Sequence, residues 1–267
     1  MDKRPIGVFD SGVGGLTVVR EILRVLPSEK IIYVGDTARV PWGTRGEKVI
    51  INFSRQVISF LLRKKVKVIV IACHTASSVA LSTLKKEVKS PLLGVIDSSA
   101  KEAVNKSKSG RVGLIGTPAT IKANAWSKAL KKESPKIKFF SVSCPLFVPL
   151  VEEGLMTHRA TRLLAKEYLQ PLMKKRIDTL ILGCTHYPLL QKVIKNIVAD
   201  IVLINPGKAV AFALKQYLIK KKLRADYKRP THQFYFTDLS YQALNNLELF
   251  SGKLGDVRIK EVELERQ

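Results

Sequence analysis

Eight short runs of β-branched and aliphatic residues restrict what this chain can become: IGVF (6–9), KIIYV (30–34), VKVIVIA (66–72), LLGVI (92–96), RVGLIG (111–116), IKFFSV (137–142), DTLILG (178–183) and DIVLI (200–204). Each is separated from the next by an amphipathic stretch of helical period. A parallel strand pair needs a long crossover, and a helix supplies it, so this alternation points to parallel α/β architecture. After residue 208 come a helical pattern, AVAFALKQYLIKK, a basic turn and one more strand-like piece, QFYFTD (233–238). Pro206-Gly207 marks the crossover into that tail.

The loops that follow the strands repeat at near-constant offset. Asp10 and Thr117, Asp36 and Cys144, Cys73 and Cys184, and Asp97 and Asn205 each stand 107 to 111 positions apart. The expected fold is therefore two pseudo-symmetric parallel-sheet α/β domains, residues 1–97 with 208–267 and residues 98–207. Ligands of open α/β sheets bind beyond the carboxyl ends of the strands. Two such halves facing each other form a cleft, with Cys73 on one wall and Cys184 on the other.

Bulk properties narrow the class. The 267 residues can bury a sizeable core, and no apolar run approaches the roughly 18 residues a membrane span needs. The N-terminal stretch lacks the apolar segment of a secretory signal, so the cytoplasm is expected. Three cysteines without a C-x-x-C pair read as free thiols in a reducing compartment. The net charge of +24 is spread over helix faces instead of one tail, which implies a solvated surface with weak non-specific polyanion affinity. It also draws in a small dianion.

The chemistry sits in the loops VIVIACHTAS (68–77) and TLILGCTHYP (179–188). Two thiols delivered by strands to loop mouths suit a redox couple, metal ligands or paired acid/base groups. After Cys73 the sequence turns helical, so His74 and Thr75 lie at a strand-to-helix turn whose free N–H groups favour an anion and lower a thiol's pKa. DSGVGG, TPATIK (with Thr117) and CTHYPLL are built alike, and several such turns around one cleft suit a ligand with two carboxylates. A dinucleotide fingerprint fails because Thr17 stands where its third glycine belongs. Metal ligation fails on spacing, since Cys73-His74 and Cys184/His186 are adjacent or next-but-one. No cofactor motif is visible. Asp10 and Asp36 suit either turn capping or catalysis, His186 beside Cys184 suits catalytic support, Glu152 reads from composition as a solvated helix-start charge, and Cys144 reads as core. Opposed thiols fit one reaction class well: removing a proton from one face of an acidic carbon and returning one to the other.

FDSGVGGLTV (9–18), YVGDTARVPWG (33–43), IACHTAS (71–77), GVID (94–97), VGLIGTPATI (112–121), CPLFVPLVEEG (144–154), LILGCTHYPLL (180–190) and FTDLS (236–240) together resemble bacterial glutamate racemase, in order and along nearly the whole chain. The resemblance implies a cofactor-independent enzyme, commonly a dimer, that interconverts L- and D-glutamate for peptidoglycan precursors. It further implies that Cys184 takes the proton from L-glutamate and Cys73 from D-glutamate. Asp10 would assist Cys73, and His186 with Glu152 would assist Cys184, which reverses the compositional reading of Glu152. Asp36 falls on a matching acidic position, and Ser11, Gly43, Thr75 and Thr185 on substrate-binding ones.

Two departures from that pattern lie in the site. His74 stands where the family usually has asparagine, and Trp42 where it usually has tyrosine. Both positions are expected to meet substrate, as is Thr117. Asp97 and Asn205 also differ from residues other members often carry, in loops nearer the domain junction. Altered specificity, toward aspartate or more broadly, is the alternative within the class. A regulatory binding protein with a vestigial site, acting through its basic surface on DNA or on a DNA-bound enzyme, is the alternative outside it.

Overall fold

The computed structural model describes residues 1–240, 247–252 and 254–265. Among these, one sheet holds β1 (Ile6–Asp10), β2 (Ile31–Gly35), β3 (Val68–Ile71), β4 (Leu92–Gly94), β9 (His232–Phe236) and β10 (Val257–Glu261). A second sheet holds β5 (Arg111–Gly116), β6 (Lys138–Ser143), β7 (Thr179–Gly183) and β8 (Val202–Ile204). The strands run β10-β9-β2-β1-β3-β4 in the first and β6-β5-β7-β8 in the second, all paired in parallel. The order second-first-third-fourth is common to both sheets. Shared wiring is thus the physical content of the offset seen in the sequence: β1 corresponds to β5 and β3 to β7.

Helices fill the crossovers: α1 (Leu16–Val25), α2 (Glu47–Arg63), α3 (His74–Val79), α4 (Leu81–Glu87), α5 (Val95–Lys106), α6 (Pro118–Lys122), α7 (Ala125–Glu133), α8 (Phe147–Glu152), α9 (Arg159–Lys174), α10 (Gln191–Val198) and α11 (Pro206–Lys220). Because helices cover both faces of the first sheet, its central strands are apolar throughout instead of alternating with polar residues. Successive side chains still point to opposite faces. Ile6, Val8, Tyr33, Val68 and Val70 enter one core. Phe9, Ile32, Val34, Ile69 and Ile71 enter another on the far side.

The first of these cores continues into the second sheet through Val112, Leu114 and Ile181. Helices α1, α11 and α5 pack in succession, and α5 also meets α7. The two sheets therefore share one apolar interior. Helix α11 starts where Pro206 tolerates a missing N–H and the Asn205 side chain accepts from the Gly207 N–H at 2.9 Å.

Two differences from the sequence reading have simple causes. Val95 and Ile96 begin α5 instead of ending β4, because both are buried on the inner face of a helix. Strand β10, VRIKE, was not foreseen. It is an edge strand with four exposed residues, and so lacks the apolar signal of a buried one.

Candidate active site

Every candidate loop emerges at the carboxyl end of a strand, where a parallel sheet leaves backbone N–H groups free for ligands. Cys73 follows β3 and caps α3, its sulfur accepting from the Ala76 N–H at 3.4 Å. Ser11, just after β1, lies 3.7 Å from the same sulfur. Cys184 follows β7, the equivalent strand of the other sheet, and its sulfur is 3.8 Å from His186 Nδ1. His186 Nε2 in turn is 2.9 Å from Glu152 Oε1 at the end of α8. All three cysteines are free and buried.

The two thiols sit in opposite electrostatic settings. Burial, followed by the neighbouring Asp10 charge, pushes the Cys73 thiol up to about 12, against the pull of the Ala76 N–H and Ser11. It is held as a neutral thiol, contrary to the lowering expected of a thiol at a strand-to-helix turn, because burial outweighs the helix-start N–H. On the other side, burial lowers the His186 pKa, but hydrogen bonds to Cys184 and Glu152 and their charges outweigh it, leaving the imidazole at about 10. A cation thus stands beside the Cys184 sulfur.

Asp10 ends β1 and is fully buried. Its Oδ2 accepts from the N–H groups of Gly12 at 3.3 Å and Gly15 at 3.0 Å, and from the Thr185 hydroxyl at 3.5 Å. Burial raises its carboxyl to about 6, in spite of the His186 charge and these donors. Its second oxygen has no hydrogen-bond partner among the described residues.

Gly14 and Gly15 make this loop possible. A Cβ on Gly15 would lie 2.4 Å from the Asp10 Cβ, and one on Gly14 would lie 2.5 Å from His186 Cε1. The Thr17 hydroxyl then bonds the Thr185 carbonyl at 2.9 Å, fixing the start of α1 against the Cys184 loop.

A hydroxyl cluster joins the halves on the Cys73 side. Thr75 and Thr117 lie 3.0 Å apart, and Thr117 and Thr120 2.9 Å apart. Thr117 also caps α6 by accepting from the Thr120 N–H. Gly43 passes so close that a Cβ would stand 2.8 Å from that of Thr117. Thr120 was missed in the sequence, although the T-x-x-T spacing at a helix start was a signal for it.

The two unusual residues are both buried. His74 stacks on Trp126 of α7, with ring centroids 6.2 Å apart and planes 15° apart. Neither of its ring nitrogens has a partner among the described residues, and burial, then the His186 charge, lowers its pKa to about 3, so it is neutral. Trp42 packs on Phe53, ring centroids 5.6 Å apart, with its indole N–H unpartnered among the described residues. Trp126, whose N–H is likewise unpartnered among the described residues, carried no signal in the sequence beyond its size.

Asp36 is tied to Asp10 through its backbone, its N–H donating to the Asp10 carbonyl at 3.2 Å. Its carboxylate accepts from Arg39 Nε at 2.8 and 2.9 Å and from the Thr237 hydroxyl at 2.9 Å. Cys144 is core, its carbonyl accepting from the Tyr187 hydroxyl at 2.9 Å. No cluster of three or more His, Cys, Asp or Glu side chains able to hold a metal occurs among the described residues. No helix among them is long and apolar enough to cross a membrane.

Comparison with known proteins agrees with this geometry. Residues 6–214 match the family model for Asp/Glu/Hydantoin racemase. A glutamate racemase of Syntrophus aciditrophicus is 45% identical over 254 residues, covering 94% of each chain. The solved glutamate racemase from Bacillus anthracis matches with a TM-score of 0.94 at 37% identity, over 99% of this chain and 100% of that one. That of Francisella tularensis, solved in complex with D-glutamate, matches with a TM-score of 0.93 at 39% identity, over 99% of both chains. Alike in sequence over most of its length and in fold over nearly all of it, the chain belongs to the Asp/Glu/Hydantoin racemase family and is an amino-acid racemase.

Proposed function

We propose that this racemase interconverts L- and D-glutamate, with Cys184 and Cys73 as acid/base groups on opposite faces of the substrate Cα. One observation carries the reading. The two thiols end equivalent strands of identically wired sheets, one beside a buried carboxylate and the other beside a protonated histidine. Glutamate as substrate is supported by relatives of that name, one of them holding D-glutamate.

In the L-to-D direction the Cys184 thiolate, stabilised by His186, takes the Cα proton. The electron pair of the broken C–H bond passes onto Cα and its carboxylate. The Cys73 thiol then donates its proton to the other face, and its sulfur keeps the electron pair of the S–H bond. The reverse direction begins with Cys73 as thiolate, the state in which the L-to-D direction leaves it, and Asp10 is the neighbouring carboxyl that relays its proton. Glu152 holds the His186 ring in place. The Asp36 carboxylate acts at one remove, by fixing Arg39 and the strand end behind the site.

Ser11, Trp42, Gly43, His74, Thr75, Thr117 and Thr185 form the substrate shell in this reading, with no cofactor. The lobes are residues 1–97 with 208–267 and residues 98–207. The enzyme works in the cytoplasm as a homodimer, and its D-glutamate supplies peptidoglycan synthesis. Circular dichroism of L- and D-glutamate with the reduced protein tests the activity. Both signals should decay to zero, faster than those of aspartate. Decay of aspartate alone would transfer the substrate assignment to the shorter acid, and decay of neither would remove it.

A further inference from the structure

A hollow of ≈ 560 Å³ opens at the amino-terminal end of β9, the end of the first sheet remote from the thiol loops. Arg20, Arg24, Arg229, His232 and Asp256 supply its polar lining. Arg20 and Arg24 stand four positions apart on α1 and so share one face of that helix. Arg24 is held by Glu21 at 3.0 Å, whereas Arg20 and Arg229 have neither an ion pair nor a hydrogen bond among the described residues. Two uncommitted guanidinium groups beside one concavity are donors without acceptors.

His232 adds a directional donor. The residue is only 3% exposed. Its Nδ1 accepts from the Ile31 N–H at 3.3 Å, so in the neutral ring the proton resides on Nε2. Burial, working against the charge of Asp256, lowers its pKa and keeps the ring neutral at physiological pH. The Nε2–H has no acceptor among the described residues, although His232 lines the hollow. Asp256 accepts from the Thr231 hydroxyl at 2.7 Å and contributes the one carboxylate of the lining. It disfavours a second anionic group and offers an acceptor to a hydroxyl.

We propose that this hollow binds a hydroxyl-bearing phosphomonoester of the sugar phosphate class, its phosphoryl oxygens taken by Arg20 and Arg229 and by His232 Nε2–H. Planar guanidinium forks match phosphoryl oxygens in pairs, and the volume leaves room for the polyol beyond the phosphate. Nothing in the proton-transfer chemistry uses these residues.

Titration calorimetry in low-chloride buffer, with ribose 5-phosphate, inorganic phosphate and unphosphorylated ribose as separate probes, tests the site. Ribose 5-phosphate should saturate at one molecule per chain and bind more tightly than phosphate, and ribose should not bind. The double change Arg20→Gln/Arg229→Gln, at one half-buried and one exposed position, should weaken ribose 5-phosphate at least about tenfold. Lys131→Gln/Lys132→Gln removes the same charge from the surface of α7 and should leave the affinity within about twofold. No saturable binding, or equal losses in the two double variants, would overturn the site and reduce the effect to the general field of the +24 surface.

Discussion

The Thr185 hydroxyl donates to the Asp10 carboxylate across 3.5 Å, tying the loop that carries Cys184 to the carboxylate next to Cys73. The two acid/base sides are therefore built as one unit, although 175 residues separate this pair. That coupling frames the expected behaviour of variants.

Enantiomers have equal free energies, so a racemase must show equal kcat/KM in its two directions, whatever is mutated. Asp10→Asn and His186→Asn should each lower it by about 10²- to 10⁴-fold, the usual worth of an acid/base group, and by the same factor for both enantiomers. The asymmetry should emerge in isotope effects. Weakening the Cys184 side makes that proton transfer limiting, so His186→Asn should raise the effect of Cα deuteration for L-glutamate above that for D-glutamate. Asp10→Asn should do the opposite. Identical effects in both variants would deny the division of labour.

Asp10 carries a stability cost whose sign can be worked out. Its carboxyl titrates at about 6 in the folded chain against 3.8 ordinarily, so the folded state binds the proton more tightly. The stability associated with it is fully present below pH ~4 and is lost as pH rises through about 6, by on the order of 3 kcal/mol. Asp10→Asn removes this loss. Its melting temperature should exceed that of the unmutated protein at pH 8 and converge toward it at pH 4, while activity falls. Thermal unfolding at the two pH values measures it.

Lys67 and Glu29 form an ion pair whose side chains are 0% and 1% exposed, 2.6 Å apart. The ammonium also donates to the carbonyls of Asp2 and Leu223, and Glu29 accepts from the Ala225 N–H. Lys67→Met leaves a buried carboxylate without its cation and should cost about 3–5 kcal/mol in urea unfolding. Lys67→Met/Glu29→Leu should recover a good part of that.

His74 is neutral across the working range, since its pKa lies near 3. His74→Asn should change KM for glutamate, through lost stacking on Trp126 and a different donor, and leave the shape of the pH–rate profile between pH 5.5 and 9 unaltered. A shifted acid limb in kcat/KM would show that this imidazole titrates in the reaction.

The strand ends were legible because burial on two faces demands continuous β-branched runs, and the chemistry of a parallel sheet lies one or two residues beyond them. Cys73, Cys184, Asp10 and Thr117 were found that way. Trp126 was not, since it comes from a helix that reaches the site only after the sheets have packed together, and Thr120 was passed over although it lies one turn beyond Thr117. The Lys67–Glu29 pair was hidden for a related reason: two charged residues 38 positions apart carry no local pattern. Strand β10 was obscured by the polar, edge-strand character of VRIKE. His74 was seen as unusual, but its neutrality follows from burial against Trp126, which spacing cannot report.

The central claim is that a separate thiol serves each face of Cα, and early-time isotope analysis in deuterated buffer tests it most directly. L-glutamate is incubated to a few per cent conversion, and the deuterium content of each recovered enantiomer is measured by mass spectrometry. Two thiols predict that nearly every D-glutamate molecule carries deuterium, delivered from Cys73, while the remaining L-glutamate keeps its proton. Protium carried into D-glutamate, or comparable deuterium in both pools from the outset, would mean that one group serves both faces and would contradict the account.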